Sequence, residues 1–180
     1  MFEHFTTPEE IFSFKLGSAL TMEHDSLEML GELASTTPRP ELRELFNSHA
    51  EETRQQIANL EQCFELLGEQ VNDSPSPATK GLAKEGKSTI SKTNSSIVDA
   101  VLLAAGLETE HYEIAVYETL VNAAEARGAK DVAKLLQHNL DQEIAASEKI
   151  KDAAKRIAHD GIAVDVPVGH AAETTTGNLE

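Results

Sequence analysis

The chain has 180 residues, 40% of them hydrophobic but only 4% aromatic and none of them Trp, which suits one domain with a helical core of Leu, Ala, Ile and Val. Asp and Glu total 31 against 15 Lys and Arg, and the formal net charge of −16 argues against nucleic acid and anionic membranes, because both need a basic surface on their partners. A single cysteine, Cys63, excludes an internal disulfide framework, and with no signal-peptide pattern and no apolar run of membrane-spanning length the expected location is the cytoplasm.

Thr7-Pro8-Glu9-Glu10 predicts a helix start: a capping residue, Pro at the first helical position, then acids favoured by the helix dipole. The amphipathic pattern runs to about Ala34, with Leu16, Leu20, Glu23, Leu27, Leu30 and Ala34 inward at alternating steps of four and three. Pro38 and Pro40 break it. A second helix is expected from about Pro40 to Gly68, its stripe running through Leu42, Leu45, His49, Glu52, Gln56, Leu60, Cys63 and Leu67. Cys63 on that stripe reads as an inert core thiol. Residues 69–95 form a polar connection with room for one short helix over Gly81–Gly86, long enough to return the chain to the far end of the bundle. A third long helix from about Ser96 to Ala126 turns Leu102, Leu103, Gly106, Glu110, Glu113, Tyr117, Leu120 and Ala124 inward. After the Arg127-Gly128-Ala129 turn, a fourth runs from about Lys130 to His159 with Val132, Leu136, Glu143, Ile150 and Ile157 on one face. Beyond it the tail is expected to be loose, with Ile162, Val164, Val166 and Val168 alternating as if to lie on the bundle surface. The predicted fold is therefore all-α: a four-helix bundle over 1–160, made of two antiparallel hairpins joined by a long crossover connection, with a tail over 161–180.

All four long helices carry a carboxylate within an apolar stripe, where an unpaired charge is very costly. Glu23 lies roughly 13 residues before its turn and Glu52 roughly 12 after it, so at about 1.5 Å per residue both stand at one level of their hairpin. Glu113 and Glu143 have the same relation to the Arg127-Gly128 turn, and Glu110, three residues before Glu113, shares its face. Packed face to face, the hairpins would gather five carboxylates at the bundle centre. Hard oxygen donors facing one another across four helices suit two divalent ions, iron or manganese ahead of zinc. His49, three residues before Glu52, either ligates a metal or holds Glu52 by a hydrogen bond. Gln56 reads as orienting a carboxylate, and Tyr117 as a core residue that could also donate to a ligand or relay an electron. Tyr112, His111, His24 and His138 fall off the stripe, whereas Met22 and Met29 read as packing groups.

The segments Met22-Glu23-His24, His49 to Ile57 and Glu110-His111-Tyr112-Glu113-Ile114-Ala115 together resemble the YciF/YciE-like family, a bacterial ferritin-like group tied to stress responses. The resemblance spans about residues 9–158. It implies a rubrerythrin-like, ferritin-like bundle that dimerises, with a di-iron site, so that iron is expected ahead of manganese. The wider ferritin-like group usually places a His three residues after the second and fourth Glu; here those positions are Gln55 and Ala146.

Two functions from different classes follow. One is a ferritin-like di-metal protein, an oxidoreductase reducing peroxide or oxygen while oxidising iron, with metal ligands drawn from Glu23, Glu52, Glu110, Glu113, Glu143 and His49. The alternative is a non-enzymatic, stress-related interaction module whose polar core is idle or structural; the missing His positions favour it. A manganese catalase-like activity would differ from both by releasing oxygen from peroxide without a reductant.

Overall fold

Thr7 opens the first helix through a reciprocal capping box: its hydroxyl accepts from the Glu10 amide, and the Glu10 carboxylate accepts from the Thr7 amide. The computed structural model describes residues 4–162, which form five helices. These are α1 (Pro8–Thr36), α2 (Pro40–Leu67), α3 (Pro77–Ile90), α4 (Val98–Ala126) and α5 (Lys130–Ile162). Pro stands in the first turn of α1, α2 and α3, where its missing amide costs nothing. Gly68 ends α2 at φ 68°, and Gly128 turns α4 into α5 at φ 74°, backbone conformations that side chains bearing a Cβ resist.

The hairpins α1–α2 and α4–α5 pack so that α2 meets α5 and α1 meets α4. Thr37, in the α1–α2 turn, donates to Asp99 at 2.6 Å, and Arg39 donates to the same carboxylate at 3.0 Å. The start of α4 is thereby tied to the start of α2, and the two helices run parallel, as the long connection predicts. The result is the ferritin-like bundle. The connection differs in content: its helix is not a six-residue piece but the 14 residues of α3. Pro77 starts it, and the run from Ala78 to Ile90 stays helical because α3 has a surface to pack on. Thr79 donates to Asp25 of α1 at 2.8 Å, Lys87 pairs with Glu32 at 2.7 Å, and Gly86 approaches Ala105 of α4.

The core is split in two along the bundle. Phe12, Leu16, Leu60, Phe64, Leu120 and Leu136 fill one end; Leu30, Leu33, Leu42, Phe46, Leu102 and Ile150 fill the other. Polar side chains occupy the level between them. No described helix is long and apolar enough to cross a membrane. The residues from 163 onward, including Val164, Val166 and Val168, lie outside those described.

Candidate metal centre

Each long helix sends polar groups into the middle level because helical spacing leaves those positions no other direction. On α4, Glu110 and Glu113 are three apart and both face inward, with Tyr117 one turn further on the same side. α1 contributes Glu23, α2 His49 and α5 Glu143. Glu23, Glu113 and Glu143 are fully buried and Glu110 is 2% exposed, so water solvates none of them appreciably. One donor atom each from His49, Glu110, Glu113 and Glu143 lie within 4.8 Å of one another.

Glu52 is the exception among the predicted ligands. Its side chain is 27% exposed at the rim, where it contacts His49 Nδ1 at 3.1 Å and accepts from Lys149 Nζ at 3.3 Å. The His49 contact, with the nearby Lys149 charge adding to it, holds the Glu52 carboxyl below its usual range. An ionised carboxylate only accepts, so Nδ1 carries the proton of this bond. His49 Nε2 is thus left facing the cluster, 3.0 Å from Glu110 and 3.4 Å from Glu143 but aligned for a hydrogen bond with neither.

The electrostatics of the level are set by desolvation. Burial pushes the carboxyls of Glu23 and Glu113 well above their ordinary range, and the Glu143 charge raises both further. Burial also raises Glu110 to about 8, although His49 opposes it. Burial alone would lower the His49 pKa; proximity to Glu110, Glu143 and Glu52 reverses the sign and holds it well above the usual value. Carboxylates at this spacing favour any species that adds positive charge, whether protons or metal ions.

The donor set fits a metal. Glu23 Oε2, Glu110 Oε2, both oxygens of Glu113 and both of Glu143 are buried with no hydrogen-bond partner among the described residues. Unpartnered buried acceptors of this kind cost about 1–3 kcal/mol each, more when charged, unless a cation meets them. Three carboxylates with one imidazole nitrogen form a hard, oxygen-rich donor set of the kind that holds a metal ion.

A polar chain supports the centre from the side. Tyr117 is fully buried and its hydroxyl bonds Glu23 Oε1; Asn139 Nδ2 donates to that hydroxyl at 3.0 Å. Because Asn139 supplies one proton, the tyrosine proton points at Glu23, and Oε2 is the carboxylate oxygen left free. Asn59 donates to Asn139 at 2.7 Å, and the exposed Gln55 donates to Asn59 at 3.0 Å. Tyr117 therefore does donate to a carboxylate, as its position on the stripe allowed. Gln56 does not orient one: its side-chain amide is fully buried with neither atom partnered among the described residues, and Asn139 donates to its backbone carbonyl instead. Asn59 and Asn139 were not expected. Asn139 stands one turn before Glu143 on the same face, and that spacing is the signal that would have found it.

Neither of the usual His positions supplies a nitrogen. Gln55 points out to solvent, and Ala146 is buried but carries no donor. Ser147 spends its hydroxyl on the Ile144 carbonyl at 2.8 Å. His49, one turn before Glu52 instead of after it, brings the imidazole to Glu143. His24, His111 and His138 are exposed and Tyr112 is half-buried, away from the centre.

A profile of the family described as "Domain of unknown function (DUF892)" matches residues 7–163. Over 150 residues, 82% of this chain and 90% of the relative, the sequence is 35% identical to Protein YciF of Escherichia coli K12. The crystal structure of that E. coli stress protein superposes with a TM-score of 0.81 at 32% identity, covering 86% of this chain and 99% of the other. YcfI of Rhodopseudomonas palustris, described as a candidate structural protein, also gives 0.81 at 32% identity, with 84% and 97% covered. The XCC3681 protein of Xanthomonas campestris gives 0.72 at 29% identity, with 87% and 97% covered.

Proposed function

The chain belongs to the DUF892 family, as a YciF-like member, and from that membership and the buried cluster we propose that it is a ferritin-like di-metal carboxylate protein of the stress response. It takes two divalent ions, iron ahead of manganese, and reduces peroxide or oxygen while oxidising iron. The observation that carries this reading is the set of buried carboxylate oxygens without partners, gathered from α1, α4 and α5 around one imidazole nitrogen of α2.

Glu110, Glu113, Glu143 and His49 would hold the metal, with Glu23 completing the set from α1 and Glu52 standing at the rim behind His49. When bound, such a pair supplies Lewis acidity and, for iron, redox chemistry toward peroxide or oxygen. The protein's share is positional. Tyr117 and Asn139 fix Glu23, Glu52 fixes the His49 tautomer, and the apolar layers above and below exclude bulk water. We also assign the bundle to a cytoplasmic homodimer, which light scattering on the purified chain would check.

The deciding experiment measures metal in protein purified with and without oxygen, beside Glu143→Ala. About two iron or manganese ions per chain, lost in the variant, are expected for a two-metal carboxylate bundle. Folded, metal-free protein that refuses both ions on titration would overturn the reading.

A second reading has its own observation. The raised proton affinity of Glu23, Glu110 and Glu113 and the positive His49 could neutralise the layer without metal, making the bundle a non-enzymatic interaction module. The refusal of metal just described is what that reading expects.

A further inference from the structure

A cleft of about 300 Å³ opens between α2 and α5 and ends on His49, a member of the buried cluster. Its inner wall is Phe46, Ile150 and Ala146; Glu44 and Ser48 stand toward solvent. Three other clefts on the described surface are lined by no member of the cluster, and the one between α1 and α3 carries Lys80, Lys84 and Lys87.

We propose that the α2–α5 cleft is the port through which a divalent cation reaches the buried centre, an inference that rests on the di-metal function above. Glu110, Glu113 and Glu143 are at most 2% exposed and cannot capture a hydrated ion directly. His49, 5% exposed with Nε2 unpartnered, is both a wall of the cleft and a neighbour of Glu110 and Glu143, so it links the surface to the interior set. Charge at the mouth of the route favours a cation. Glu44 makes no ion pair among the described residues, whereas Lys149, the one lysine on the wall, is neutralised by Glu52 at 3.3 Å. The overall charge of −16 adds to the attraction. Phe46 and Ile150 offer no competing ligand, so an ion is not held on the way. Ala146 contributes only a methyl group to the wall, so a larger side chain there would narrow the route.

The test mixes metal-free, full-length protein with Co²⁺ alone and follows cobalt absorbance by stopped flow, with final stoichiometry measured at equilibrium. Ala146→Leu is expected to slow loading about tenfold, within the range that access and docking changes produce, while the final stoichiometry is kept. Glu44→Gln is expected to slow it severalfold and weaken its dependence on ionic strength. Ala123→Leu, which fills the separate groove between α1 and α4, should load like the parent. If Ala146→Leu loses helical circular dichroism, Ser48→Trp at the exposed mouth decides instead, with the same slowing expected. Loading at the parent rate in the deciding variant overturns the port and leaves the di-metal function standing. A folded Ala146→Leu that binds fewer ions at equilibrium also overturns it, because position 146 would then shape the site and not the route. A parent protein that takes up no cobalt, iron or manganese overturns the function and the port together.

Discussion

Tyr117 accepts from Asn139 and donates to Glu23, so one hydroxyl keeps two buried polar groups satisfied. Tyr117→Phe leaves Glu23 without its only hydrogen-bond donor among the described residues and costs the metal-free fold about 1–3 kcal/mol in urea unfolding. An unchanged midpoint and slope would show that Glu23 is satisfied in another way. Cys63 illustrates the opposite condition. It is fully buried, and desolvation pushes its thiol up to about 12, so almost no thiolate forms at neutral pH. Labelling by iodoacetamide should be negligible in the native protein and complete in denaturant; fast native labelling would mean that this end of the bundle opens.

Among the elements, the crossover makes the most specific demand on sequence. It passes over α1 at Gly17, where an added Cβ would fall 1.7 Å from the Asn72 amide oxygen and 3.0 Å from its backbone carbonyl. Asn72 in turn caps the start of this segment by accepting from the Ser74 amide and hydroxyl. Gly17→Ala should therefore dislodge residues 69–76 and leave the four long helices formed. The expected result is faster proteolysis within that segment, a loss of about 1–3 kcal/mol of stability as for other overpacked sites, and little change in helical circular dichroism. Unaltered cleavage and stability would show that Asn72 shifts aside without cost. The longer α3 follows the same logic, since its helix is settled by Asp25, Glu32 and Ala105 on its neighbours.

For the molecule as a whole, the polar layer links folding to pH, and a metal ion bound there would alter that link. The groups that face it are Glu23 from α1, His49 and Glu52 from α2, Glu110, Glu113 and Tyr117 from α4, and Glu143 and Lys149 from α5. Glu23, Glu110 and Glu113 have folded pKa values raised above 4.5, so the folded metal-free chain binds more protons than the unfolded one above that pH. His49, raised above 6.5, acts in the same direction, since its stabilising charge is lost as pH rises through the folded value. Stability of the metal-free protein should fall as pH rises from about 5 to 8, spanning the Glu110 value of about 8. Bound metal should flatten that slope and release protons as it binds. Thermal melts at both pH values, with and without Mn²⁺, check this. A metal-free protein more stable at pH 8 than at pH 5 would overturn the assignment of a strained acidic layer.

Legible along the chain alone are the helical architecture and the identity of most central residues. Helix starts at Pro8 and Pro40, stops at Gly68 and Gly128, and stripes of period near 3.6 depend on neighbours along the chain, so they are legible without a fold. Glu23, Glu110, Glu113 and Glu143 stand out because a carboxylate interrupting an apolar stripe is conspicuous on one helix alone. Which of the inward groups actually meet is settled by the packing of one helix against another. Glu52 sits on its stripe yet turns to Lys149 of α5, His49 comes to Glu110 and Glu143, and Asn139 joins Tyr117. The length of α3 and the cleft beside Ala146 were settled at that level too. Spacing along a helix sets the direction in which a side chain leaves the backbone; its partner depends on distances and charges contributed by other helices, which no single stripe contains.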